Sequence, residues 1–123
     1  MDRREFASLA ALPLLAQAAR PRAGCQTNAW PIAAYDGFLR AIDRVKAHGY
    51  AGFETGFRNV QTRFDDAAAA RAEIERRGLV FLGVHIFLLE YDPATSIAPL
   101  DLIERVAKGG AALGAERLIL SGR

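Results

Sequence analysis

The run Leu79–Leu88 is apolar from end to end apart from one histidine, His85. A stretch that continuous, with helical patterns on both sides, reads as a central strand of a parallel sheet. Side chains alternate along a strand. The alternation puts Leu82, Val84 and Ile86 on one face and Phe81, Gly83, His85 and Phe87 on the other. A histidine near the C-terminal end of such a strand stands where α/β proteins place their chemistry. A core histidine with satisfied hydrogen bonds is the plainer alternative.

The segments around this strand repeat one plan. Gly24–Trp30 is β-compatible and ends at Pro31, and as a strand it puts Gln26, Asn28 and Trp30 on one face. Asp36 then caps a helix to about His48, with Phe38, Leu39, Ile42 and Val45 at helical spacing and Gly49 as a left-handed stop. His48, in the last turn, is a helix-end residue rather than a catalytic one. Tyr50–Gly56 is the second strand, with Phe53 on one face and Glu54 on the other. A glutamate there is costly unless it is paired, bound or already at the solvated exit of the strand. Asp65 or Asp66 caps a second helix, Ala67–Arg77, which stops at Gly78; Arg71, Glu73, Glu75 and Arg76 form its solvated face. The loop after the third strand, Leu89–Ile97, is the longest and carries Glu90, Tyr91 and Asp92, so it is a candidate substrate-side loop. Pro99 opens a third helix with the stripe Leu102, Ile103, Val106, Gly110 and Leu113, where Gly109-Gly110 permits close packing. Glu116–Ser121 is the fourth strand.

Strands alternating with helices at a period of about thirty residues mean βαβ units and a parallel sheet. The fold class is therefore α/β. A doubly wound open sheet competes with the N-terminal half of a (β/α)8 barrel, β1-α1-β2-α2-β3-α3-β4. The chain has 123 residues, and a whole barrel needs roughly 250. No glycine-rich phosphate loop follows strand one, which weighs against a dinucleotide-binding sheet. In a barrel, Gln26, Asn28, Glu54 and His85 would all face the interior near its mouth. The net charge of +2 and pI near 9.0 come with no basic run, so nucleic acid is not an expected partner. No apolar stretch is long enough to span a bilayer, and the single cysteine, Cys25, excludes an internal disulfide.

Residues 1–19 read as a different kind of segment. Arg3-Arg4-Glu5-Phe6 precedes an apolar stretch, Ala7–Ala16, and Ala16-Gln17-Ala18 offers small residues at a cleavage site. The pattern is that of a secretory signal, and the paired arginines are those of a twin-arginine leader for folded cargo. The expected location is periplasmic or otherwise exported, with no membrane association once the leader is removed.

From Gly24 onward the sequence resembles the sugar phosphate isomerase/epimerase family, the xylose isomerase-like TIM barrels. The matching stretches are Gly24–Trp30, Ala47–Glu54, Gly83-Val84-His85 and Ala112–Leu120. The resemblance implies a sugar or polyol substrate and a proton or hydride moved between neighbouring carbons. It implies a divalent cation (Mn, Mg, Zn or Co) held by later strands, so that no metal ligand is expected in this chain. By the same resemblance His85 and Glu54 are the catalytic candidates, and Asn28, Trp30 and Phe87 are the substrate-binding ones. Four strands make half a barrel with two open edges, which leads to the expectation of a truncated gene with little activity alone, or of pairing with a second copy. An abasic-site endonuclease of the same superfamily is an alternative that would require a basic groove. An exported, non-catalytic carbohydrate-binding module is another.

Overall fold

The computed structural model describes residues 22–121, and the leader expected over residues 1–19 lies outside them. Strands and helices alternate: β1 (Gly24–Gln26), α1 (Tyr35–Ala47), β2 (Gly52–Gly56), α2 (Ala67–Arg76), β3 (Val80–Ile86), α3 (Leu100–Ala112) and β4 (Leu118–Leu120). All neighbouring strands pair in parallel, in the order β1-β2-β3-β4. The chain is thus an α/β protein with the element order of half a (β/α)8 barrel. A doubly wound sheet reverses its order at a switch point and carries helices on both faces. Here the order never reverses, and side chains of all three helices enter one core cluster with Phe53, Phe81, Val84 and Ile86.

Each helix buries the face that its apolar spacing defines. In α1 this is Phe38, Ala41, Ile42 and Val45. The helix ends where the His48 N–H donates to the Arg44 carbonyl and Gly49 turns left-handed at φ +84°. Phe38 packs edge-on against Phe53, and Phe53 stacks on Phe81, with ring centroids 5.6 and 4.6 Å apart. Full burial of such a ring contributes about 1.5–3 kcal/mol. Helix α3 packs closely through two glycines, Gly110 against the sheet and Gly109 against Phe64 in the segment before α2. A Cβ on Gly110 would stand 2.6 Å from Val84 Cγ1, and one on Gly109 would fall inside the Phe64 ring. Among the described residues, no helix is long and apolar enough to cross a membrane.

Three local expectations are corrected. The first strand ends at Gln26 rather than Trp30, because Thr27–Ala29 is a 3-10 turn closed by the Trp30 N–H donating to the Thr27 carbonyl. Pro31 has no N–H with which to extend a ladder. Asp36 does not cap α1; Ala34 holds that position and Asp36 lies in the first turn. The third correction concerns the faces of β3. Phe53 pairs with Phe81 but Glu54 pairs with Gly83, so β3 carries one extra residue, Leu82, relative to β2. Such a bulge shifts the alternation by one. Phe81, Val84 and Ile86 therefore share the helix side, at 3%, 1% and 0% exposure. Leu82 lies on the opposite face, against Gly24 and Gly52. His85 shares that opposite face, not the face of Phe81.

Candidate functional site

The opposite face, at the C-terminal ends of the strands, carries a line of hydrogen-bonded side chains with a member on or just beyond each strand. Register aligns Gln26 of β1 with Glu54 of β2, and Gly56 of β2 with His85 of β3. His85 in turn aligns with Ile119 of β4, and Ser121 follows two residues later on the same face. Asn28, in the turn after β1, donates through Nδ2 to Gln26 Oε1 at 2.9 Å. Gln26 Nε2 donates to Glu54 Oε1 at 2.8 Å. His85 Nδ1 lies 2.9 Å from the same Glu54 oxygen, and His85 Nε2 lies 2.8 Å from Ser121 Oγ.

The directions of these bonds follow from their chemistry. A carboxylate only accepts, so the neutral imidazole carries its proton on Nδ1 and donates it to Glu54. Nε2 is then an acceptor, and the Ser121 hydroxyl donates to it. Every link thus donates toward Glu54. The His85 and Glu54 side chains are 13% and 27% exposed, which leaves the line open at its rim.

The surroundings hold this geometry. The Phe87 ring lies 4.1 Å from the imidazole, centroid to centroid, and packs over Gly56, where a Cβ would come 2.7 Å from Phe87 Cε2. The Ser121 main chain is fixed twice: its N–H donates to the Ile86 carbonyl, and its carbonyl accepts from the Tyr91 hydroxyl at 2.6 Å. Tyr91 belongs to the loop after β3, and an Arg58–Glu90 ion pair ties that loop to the turn after β2. Behind Glu54, on the helix side, the buried hydroxyls of Thr27 and Thr55 bond to each other at 2.7 Å.

Four of the five residues picked from the sequence are brought together: His85, Glu54, Asn28 and Phe87. Trp30 is not among them. Once the chain turns at Thr27, the Trp30 ring leaves the strand face and stacks near His48 at the end of α1, with centroids 6.2 Å apart. His48 is a helix-end residue, as expected. Sequence reasoning missed Ser121 as a site residue. Its signal was present in the alternation Ile119, Ser121 on a strand paired with β3.

Glu54 and His85 are both committed to one another. Among the described residues, no group of three or more His, Cys, Asp or Glu could hold a metal ion. The side chains described do not by themselves make a metal site. What they do provide is a carboxylate-oriented imidazole next to a hydroxyl, which is equipment for moving a proton. Comparison with family models, curated proteins and solved structures gives no match.

Proposed function

We propose that this protein isomerises or epimerises a sugar or polyol by proton transfer, with His85 as the acid–base group. What supports this is one juxtaposition: an imidazole oriented by a carboxylate at the C-terminal ends of parallel strands, on the face away from the helices. The resemblance of Gly24–Trp30, Ala47–Glu54 and Gly83-Val84-His85 to sugar phosphate isomerases and epimerases supplies the substrate class.

In this reading the substrate displaces the Ser121 hydroxyl from Nε2. His85 Nε2 takes the proton from a carbon next to the carbonyl, leaving an enediolate, and in the isomerisation the substrate's hydroxyl proton passes to the former carbonyl oxygen. Glu54 stabilises the imidazolium that forms, and Nε2 returns the proton to the neighbouring carbon or to the other face of the same carbon. The Gln26 and Asn28 amides suit sugar hydroxyls, and the Phe87 ring suits the apolar face of a sugar. A divalent cation is the cofactor that the resemblance implies, and each step above uses only the chain's own side chains. The proposal includes export through the Arg3-Arg4 leader. Replacing both residues (Arg3→Lys, Arg4→Lys) is expected to retain the protein in the cytoplasm, as read by fractionation.

The test is deuterium wash-in. The full chain is incubated in D2O with a panel of ketoses, aldoses and their phosphates, with and without added Mn2+, and carbon-bound deuterium is read by NMR. Exchange is expected at the carbon next to the carbonyl, and His85→Ala should reduce it about a hundredfold or more. Exchange that survives His85→Ala, or none across the panel, sinks the proposal.

A further inference from the structure

We propose that Ser121 is an activated nucleophile and that the Glu54–His85–Ser121 line is an acyl-transfer site for small esters. This is a reaction separate from sugar isomerisation and does not depend on it. The geometry is that of a nucleophile bonded to its base, with the base oriented by a third group. Ser121 Oγ lies 2.8 Å from Nε2, and Nδ1 lies 2.9 Å from Glu54 Oε1. A serine that merely filled a strand end would have no need of this alignment or of the bracing around it. Gln26 holds the carboxylate, the Tyr91 hydroxyl and the Ile86 carbonyl hold the Ser121 main chain, and Phe87 holds the imidazole plane. The base therefore has one tautomer and one orientation before any substrate arrives.

The step balances within the chain and the ester. Ser121 Oγ forms a bond to the acyl carbon while its proton passes to His85 Nε2, and the carbonyl electron pair moves onto oxygen. The tetrahedral intermediate collapses, the bond from the acyl carbon to the ester oxygen breaks, and the departing alkoxide takes the proton from Nε2. Water, deprotonated by the same Nε2, then releases the acid and restores the serine. Among the described residues, the hydrogen bonds that form the line are spent on its own members and include no donor pair for the developing oxyanion. Such donors contribute about 100- to 1,000-fold each, so turnover is expected to be slow and the acyl-enzyme to accumulate with activated esters.

The experiment is covalent labelling of the full chain with a fluorophosphonate and with p-nitrophenyl acetate, read by peptide mass spectrometry. Trypsin cuts after Arg117 and isolates Ser121 in the peptide Leu118–Arg123. Ser96, an exposed serine of the same chain, is the internal control. Labelling is expected on Ser121 and not on Ser96. It should be lost in Ser121→Ala, lowered about a hundredfold in His85→Ala, and lowered about tenfold or more in Glu54→Gln. Circular dichroism checks that each variant is folded, and His85→Gln replaces His85→Ala if the latter is not. Labelling of Ser121 that equals Ser96, or that is unchanged in folded His85 and Glu54 variants, overturns the proposal. Because the readout is an adduct mass, it stands or falls independently of sugar exchange.

Discussion

Tyr35 shows how one residue ties stability to pH. Its hydroxyl donates to Glu73 Oε2 at 3.1 Å, and the Arg63 guanidinium lies over its ring. Burial, and then the bond to Glu73 and its negative charge, push the phenol up from 10.0 to about 12, against the lowering pull of Arg63 and Arg77. Between those values the unfolded chain has lost the proton that the folded chain keeps. The unfolded state binds fewer protons there, so unfolding free energy falls as pH rises. The contribution is whole below pH 10 and is lost on the way to 12. Its size is at most about 3 kcal/mol. Thermal melts between pH 8 and 11 should show this fall, and Tyr35→Phe should flatten it. A pH slope identical in the two proteins would remove Tyr35 as its source.

Elements carry the next level of control. In β3 the bulge absorbs Leu82 and so keeps His85 on the face of Glu54. Deleting Leu82 restores simple alternation with Gly83 still opposite Glu54 and His85 still opposite Gly56, so His85 keeps its face and only the Leu82 contacts with Gly24 and Gly52 are lost. Urea unfolding should show the loss of that packing, while the His85-dependent labelling of Ser121 is retained. In α3, Gly110→Ala puts a methyl group against Val84, an overpacking expected to cost about 1–3 kcal/mol in the same urea assay. The elements themselves were legible in the sequence because apolar spacing and the stops at Gly49, Gly78 and Gly114 report on local backbone. The faces of β3 were not, because a bulge is a relation between two strands and leaves no mark in one strand's pattern. Glu54 and His85 do lie side by side, joined by a hydrogen bond, although Phe81 was placed on the wrong face. Trp30 was misplaced for a different reason. The turn at Thr27 depends on a main-chain bond that residue alternation does not reveal.

At the scale of the molecule, β1 and β4 each pair with one neighbour among the described residues, and Leu120 on β4 is 40% exposed. Open parallel edges beside exposed apolar side chains favour association. Sedimentation velocity is expected to show concentration-dependent oligomers, weakened by Leu120→Lys. A monomer at all concentrations would show that the edges are protected. The line from Asn28 to Ser121 adds a temporal consequence. Its inter-strand bonds span 28, 31 and 36 residues, always from one βαβ unit to the next. On the ribosome the carboxylate and imidazole emerge and can dock while the serine is still inside the exit tunnel. Proton-handling groups are thus in place before the hydroxyl arrives, and the docking of β4 is the moment at which a nascent chain acquires its reactive oxygen.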